Sequence, residues 1–189
     1  MTLSPILKKL MFVRQFEIDQ GKIKVLGDRE IMIHASAILE LQNMDETKLY
    51  DIAKEAGKAN ISGAVEHAKV YGKMKDVFIS EIAELGKKIG ETDEGTLKTL
   101  QQLFDIYGLG QMAIEDINNK DKTAIIMVKD SSLADEFLEK KKSKSKTAVC
   151  TLTSGVIAGM FSYIFGKEVD CVEEKCKAKG EGNCLFNVG

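Results

Sequence analysis

The chain has 189 residues, a length typical of one domain with a single hydrophobic core. It is 44% hydrophobic and 30% charged with a net charge of -2, so it lacks the overall positive charge that favours nucleic acid or anionic lipid. No segment approaches the ~20 uncharged apolar residues of a membrane span, and Lys8 and Lys9 interrupt the apolar start of the chain. We therefore expect a cytoplasmic protein with neither a membrane helix nor a signal peptide.

Residues 1–15 form an apolar segment that we separate from a single predicted domain over residues 16–189. Its apolar side chains recur at helical spacing and would be costly to leave in water: Leu3, Ile6, Leu7, Leu10, Met11 and Phe12. A second copy of the chain can cover them in a two-fold homodimer, or the segment can fold back onto its own domain. We favour the homodimer.

The first half of the predicted domain changes from strand to helix periodicity. Residues 16–33 alternate apolar and polar side chains between glycines, which predicts short strands joined by tight turns. Residues 35–56 have the longer period of one or two amphipathic helices, and a further helix is predicted over residues 77–89. The next helix begins at a cap formed by Thr92 or Asp93.

The second half contains a hairpin, two helices and a closing pair of strands. Residues 111–130 predict two strands around a polar turn, and SSLADEFLEKKK predicts a short helix with a serine cap. An apolar helix follows over Val149–Phe165, and the last two strands flank the Gly180–Gly182 turn. The predicted fold class is α+β, with an antiparallel sheet packed against helices.

Two lesser motifs allow more than one interpretation. Lys140–Lys146, KKKSKSK, is a candidate phosphate-binding patch, but serines between lysines are more typical of a solvated loop. Gly155-x-x-x-Gly159 in the apolar helix indicates close approach at a dimer interface or against the sheet.

The cysteines predict a metal site or, alternatively, plain thiols. A closing hairpin can bring Glu173, Cys176 and Cys184 together, and Cys150 before the apolar helix completes a tetrahedral Cys₃Glu shell suited to zinc. In the alternative, Cys150 and Cys171 are small core residues and the other two cysteines are exposed thiols. The spacing alone leaves both interpretations open.

From Cys150 onward the sequence resembles the 4-vinyl reductase domain family. The closing pattern of that family is a Cys, a Gly-x-x-x-Gly helix, then Glu-x-x-Cys-x-x-x-Gly and a final Cys-x-Phe. Every position of the pattern is filled here, by Cys150, Gly155, Gly159, Glu173, Cys176, Gly180, Cys184 and Phe186. The likeness continues more loosely upstream and covers roughly residues 16–189.

The resemblance implies a ligand-binding fold shared with aromatic-sensing domains of bacterial transcriptional activators and with subunits of vesicle-tethering complexes. In the aromatic sensors three Cys and one Glu hold a zinc ion, and the matching residues here are Cys150, Glu173, Cys176 and Cys184. Cys171 has no counterpart, and Glu174 is an alternative to Glu173. Because four protein ligands leave no open position for water or substrate, the implied zinc is structural.

The candidate ligand-binding residues lie in the elements that this fold would place around a cavity. They are flexible or aromatic apolar side chains: Met112, Met127, Met160, Phe161 and Tyr163. Such residues can adapt to an apolar ligand, although the same side chains can equally fill a dry core.

The predicted function is binding of a small hydrophobic molecule, aromatic or hydrocarbon, by a sensor or regulatory module with a structural zinc. No Ser-His-Asp set or phosphate loop is visible, and the Gly-x-Gly of YGLGQM lacks the third glycine of a dinucleotide site. An enzyme is therefore the less favoured interpretation. The alternatives are a reductase or tetrapyrrole-handling enzyme, and a protein-interaction scaffold.

Overall fold

A computed structural model of the chain describes residues 16–19, 22–25, 28–71, 81–82, 84 and 92–189. The apolar segment of residues 1–15 lies outside these ranges, as does most of the helix predicted over residues 77–89. Of that helix, residues 81–82 and 84 are described and are helical.

The N-terminal half contains a small sheet followed by helices. β1 (Phe16–Asp19), β2 (Lys22–Val25) and β3 (Asp28–Glu30) form an antiparallel sheet in that order. The helices are α1 (Ala35–Met44), α2 (Glu46–Tyr71) and α3 (Glu94–Ile106). Asp93 rather than Thr92 caps α3, because its carboxylate accepts a hydrogen bond from the Thr96 N–H at 2.9 Å.

The C-terminal half is a second sheet interrupted by two helices. In chain order its elements are β4 (Gln111–Asn118), β5 (Thr123–Lys129), α4 (Ser132–Lys141), α5 (Thr151–Phe165), β6 (Cys171–Lys175), a 3₁₀ turn (Lys177–Lys179) and β7 (Cys184–Val188). The antiparallel strand order is β4-β5-β7-β6. The predicted α+β class is confirmed, with two antiparallel sheets where one was expected.

α5 runs through the centre of the hydrophobic core. Almost every residue from Thr151 to Phe165 is buried, as expected of a helix that is apolar all round. One side of α5 packs on α2, and the helix also contacts β6 and β7. No helix in the described ranges has the length and apolar content needed to cross a membrane.

Glycines bring α2 and α5 into backbone contact. A Cβ atom on Gly155 would lie 2.5 Å from the Tyr50 carbonyl oxygen, and one on Gly159 would collide with the Lys54 carbonyl. On α2, a Cβ on Gly57 would collide with the Val156 carbonyl. The Gly-x-x-x-Gly motif therefore serves a helix pair within the chain, and both interpretations drawn from the sequence were wrong about its partner.

Polar contacts with α2 position the start of β6. The Lys54 ammonium lies 2.7 Å from an Asp170 carboxylate oxygen, and Lys58 pairs with Glu168. The Tyr50 hydroxyl accepts a hydrogen bond from the Cys171 N–H at 2.8 Å. Exposed ion pairs add little stability, but together these contacts hold β6 in place beside α5.

Candidate metal centre

The structure brings together the four residues predicted to bind metal. One ligand atom from each of Cys150, Glu173, Cys176 and Cys184 lies within 4.8 Å of all the others. The three cysteines are fully buried, and the Cys150 and Cys184 sulfurs are 3.7 Å apart. This cluster could hold a metal ion. Cys171 is also buried but lies outside the cluster.

Cys150 stands at the N-cap of α5, so its sulfur lies at the positive end of the helix dipole. Without a metal, contacts with Cys176 and Cys184, together with burial, nevertheless raise the pKa of the Cys150 thiol well above its ordinary value, so the thiolate that binds metals would form there only beside a cation. The Cys150 N–H donates a hydrogen bond to Glu173 Oε2 at 3.0 Å. The start of α5 therefore holds both a sulfur ligand and the carboxylate next to it.

A β-bulge in β6 puts Glu173 and Cys176 on the same face. In a regular strand, residues three apart point to opposite faces. The pairing with β7 runs from Glu173–Phe186 directly to Lys175–Leu185, so Glu174 is the extra residue. Glu174 is exposed and accepts a hydrogen bond from the Asn187 amide at 3.0 Å. Glu173, and not Glu174, is therefore the carboxylate of the cluster.

Cys184 enters the cluster from the first position of β7. It points to the same buried face as Phe186 and Val188, in keeping with the two-residue period of a strand. The 3₁₀ turn folds back over it, and the Lys177 N–H donates a hydrogen bond to the Cys184 sulfur at 3.3 Å. Gly180, with φ of 103°, ends the turn in a conformation that favours glycine.

In the metal-free cluster the negative charge lies mainly on Cys176, because the pKa values of the Cys150 and Cys184 thiols are raised beside it and by burial. Burial, together with the neighbouring Cys176, raises the pKa of Glu173 to about 7. Hydrogen bonds from Cys150 and Cys184 hold the pKa of the Cys176 thiol well below its ordinary value. Glu173 Oε1 is buried and has no hydrogen-bond partner among the described residues. Since buried oxygens normally have a partner, a cation would satisfy this one.

Four of the five predicted ligand-binding residues lie in or against the core, whereas Met127 lies on the face of β5 opposite the buried Ile126 and Val128. Met160 and Phe161 are fully buried on α5, and Met112 is buried on β4. Met127 on β5 and Tyr163 on α5 are half-buried. Their role in ligand binding stays a prediction.

Two surface clefts lie near the cluster, and none of the five predicted ligand-binding residues lines either of them. One, of about 330 Å³, opens between α2, the start of α5 and β6, and Glu173, Tyr50 and Thr151 are among the residues that line it. The other, of about 350 Å³, lies between α1 and α4. Ala148, two residues before Cys150, lines both clefts.

Several residues around the cluster could not be identified from the sequence. The Ser131 hydroxyl lies 3.4 Å from the Cys150 sulfur, although its sequence pattern predicts only a helix cap. The Thr151 hydroxyl donates a hydrogen bond to the Glu46 carboxylate at 2.8 Å, although the two residues are more than 100 positions apart in the chain. Contacts between such distant residues carry no local signal in the sequence.

Comparison with known families confirms the resemblance at the C-terminus. Residues 132–189 match the model of the 4-vinyl reductase domain, and this range includes all four residues of the cluster. Among curated proteins, none matches the chain.

Solved structures show where else the fold occurs. The phenol-responsive sensory domain of the transcription activator PoxR, solved with phenol, is similar with a TM-score of 0.63 at 18% identity, over 100% of this chain and 90% of that one. Trafficking protein particle complex subunit 3 from Naegleria fowleri, covalently bound to palmitic acid, gives a TM-score of 0.53 at 14% identity, over 98% and 95% of the two chains. A vinyl-4-reductase family protein from Methanocaldococcus jannaschii gives 0.47 at 18% identity, over 82% and 75%. The chain therefore shares its fold with a sensory domain and a trafficking subunit.

Proposed function

We propose that the protein binds a small hydrophobic molecule, aromatic or hydrocarbon, and acts as a sensor or regulatory module stabilised by a structural zinc ion. The observation that carries the proposal is the fold, which matches a phenol-responsive sensory domain over the whole of this chain. The second neighbour holds a fatty acid, so apolar ligands accompany this fold in both proteins.

The geometry of the cluster supports zinc as the metal. Four-coordinate zinc with metal–sulfur distances of about 2.3 Å has sulfur–sulfur edges of about 3.8 Å. The Cys150 and Cys184 sulfurs, at 3.7 Å, already have this separation. Three sulfurs and one carboxylate suit zinc better than the hard cations, which prefer oxygen ligands.

The ion would act by joining elements rather than by reacting. Cys150 belongs to the start of α5, Glu173 to β6, Cys176 to the turn and Cys184 to β7. A shell of four protein ligands is typical of structural zinc, whose binding energy is largely folding energy.

Elemental analysis with matched variants tests the zinc. Protein purified without chelator should carry about one zinc per chain. Cys176→Ser and Glu173→Gln should lose most of it, whereas Cys171→Ser and Glu174→Gln, changes of the same kind outside the cluster, should retain it. Less than a tenth of an equivalent in the wild type would refute the zinc proposal.

Thermal shift tests the small molecule. Phenol, toluene and palmitic acid can be added separately to the zinc-loaded protein, and a compound at 100 times its Kd should stabilise the native state by about 2.7 kcal/mol. If none of a broad apolar and aromatic panel raises the melting temperature, the sensor proposal fails.

We also propose that the protein is a homodimer, from apolar side chains exposed in the described part of the chain. Ile31, Met32 and Met44 are 81%, 85% and 82% exposed. Ile31, Met32 and the 54% exposed Ile33 are consecutive in the chain, and adjacent exposed apolar side chains are typical of an interaction surface. The same surface would serve the alternative function of a protein-interaction scaffold. Light scattering with a monomer mass at tens of micromolar protein would exclude the dimer.

A further inference from the structure

Ser131 lies between β5 and α4, with its hydroxyl next to the metal cluster. The chain leaves β5 through Asp130 in the left-handed region, with φ of 50°, and Ser131 then forms the N-cap of α4. Ser131 is 0% exposed. Its oxygen accepts a hydrogen bond from the Ala134 N–H at 3.5 Å and lies 3.4 Å from the Cys150 sulfur.

Hydrogen bonds reach the cluster from the backbone and from one further side chain. Backbone N–H groups donate from Cys150 to the Glu173 carboxylate at 3.0 Å and from Lys177 to the Cys184 sulfur at 3.3 Å. At the Cys150 sulfur the partner is the Ser131 hydroxyl, and by geometry alone either of these two atoms can be the donor. In the described ranges Ser131 is therefore the one side chain outside the cluster that hydrogen-bonds a member of it.

Metal binding settles which atom of this pair is the donor. A serine hydroxyl has one proton and two acceptor lone pairs, and the Ala134 N–H occupies a lone pair. A thiolate bound to a metal has no proton, so the only proton available between Ser131 and Cys150 is on the serine. We propose that Ser131 is a positioning residue of the metal centre, whose hydroxyl donates to the Cys150 thiolate while its oxygen caps α4. This inference rests on the proposed zinc.

The bond has two physical consequences. A donor to a thiolate draws off part of its negative charge, which matters because three thiolates and a carboxylate share one buried site. The same hydroxyl joins the start of α4 to the start of α5, so the metal also helps to hold α4. A salt bridge of 2.7 Å between Asp135 on α4 and Lys177 on the turn links α4 to the cluster a second time.

Cobalt(II) substitution tests the donor through the sulfur-to-metal charge-transfer absorption. Ser131→Gly is the informative variant, because glycine at an N-cap costs only a few tenths of a kcal/mol relative to serine, so the cap is largely kept while the hydroxyl is lost. Ser131→Ala is the second variant and Ser131→Thr, which keeps a hydroxyl, is the rescue. Ser132→Ala is the matched control, since the Ser132 hydroxyl donates to the Gly108 carbonyl and not to the cluster.

The expected result is a charge-transfer band at lower energy in Ser131→Gly and Ser131→Ala, because a thiolate without a donor releases its electrons more easily. Zinc affinity measured against a chelator should fall by about 10 to 100-fold in both. Ser131→Thr and Ser132→Ala should match the wild type in both measurements.

Two outcomes overturn the inference in distinguishable ways. A wild-type protein that binds neither cobalt nor zinc would overturn the proposed metal site and this inference with it. A wild type that shows the cobalt band, with the band and the zinc affinity unchanged in Ser131→Gly, would overturn this inference alone. Loss of affinity in Ser131→Ala without any spectral shift would show a capping role only, and would also overturn it.

Discussion

A methyl group added at Gly155 should force α2 and α5 apart. In Gly155→Ala the new Cβ would lie 2.5 Å from the Tyr50 carbonyl oxygen, 2.6 Å from the Ala53 Cβ and 3.1 Å from the Lys54 nitrogen. Two of these atoms belong to the backbone of α2 and cannot rotate away. Since the van der Waals separation of non-bonded carbon atoms is about 3.5 Å or more, the helices must move apart by roughly 1 Å.

The cost of this separation can be estimated from the packing it disrupts. A gap of about 0.5–1 Å forfeits a quarter to a half of the dispersion energy at the contact, and overpacking a core costs about 1–3 kcal/mol. Alanine regains about 0.5–1 kcal/mol over glycine as a helix former. We expect a net loss of about 1 kcal/mol, or about 2–4 °C in melting temperature for a chain of this length.

Chemical and thermal denaturation of the zinc-loaded protein measures this loss. Gly182→Ala is the control, because no atom lies within 4 Å of a Cβ at that position, and its stability should stay within about 0.5 kcal/mol of the wild type. Equal stabilities for Gly155→Ala and Gly182→Ala would show that the helices are not in the close contact described.

Three further predictions concern protons, packing and assembly. In metal-free protein, folded Glu173, with its pKa of about 7, holds a proton that the unfolded chain releases near 4.3, whereas folded Cys176, with its lowered pKa, lacks a proton that the unfolded thiol keeps. The two effects offset each other, so in denaturation experiments wild-type stability should change little between pH ~4.3 and ~7, and Glu173→Gln should gain stability as pH rises over that range. Zinc-loaded protein should also gain stability with pH as its ligands deprotonate. Met160→Trp adds volume at a fully buried position and should cost roughly 1–3 kcal/mol in denaturation experiments, whereas weakened ligand binding without that cost would show that Met160 lines a pocket. Removal of residues 1–15 should convert a dimer to a monomer in light scattering, and an unchanged mass would count against that segment as the contact.

Most local features could be predicted from the sequence because they depend on near neighbours. The polar turn within residues 111–130, the serine cap of α4 and the uniformly apolar α5 all follow from residue types within one or two turns of chain. Periodicity also predicted the N-terminal strands, but it left open whether residues 35–56 form one helix or two, and the structure has two, α1 and α2.

The carboxylate of the cluster shows where periodicity fails. Regular strand alternation would put Glu174 on the same face as Cys176, and only the bulge reverses this in favour of Glu173. The residue types of CVEEK do not predict that bulge. The choice of Glu173 came from the family resemblance, and the structure supplies the physical reason for it.

Contacts between distant segments were beyond prediction. The backbone contact of α2 with α5 joins residues about 100 positions apart, such as Tyr50 and Gly155. Glycine spacing shows that something approaches α5 closely but does not show what. The same holds for Ser131 and Cys150, whose separate patterns predict a helix cap and a ligand but not their contact.

The glycine contacts also tie the position of α2 to that of α5. They engage α2 between Tyr50 and Lys58, and farther along the helix Ile61, Ala64 and Val65 are buried in the same core. With backbone in contact at one end and side chains packed at the other, α2 has no free end about which to pivot. The two helices would therefore have to shift together as one packed unit, since separate movement would open the core between them.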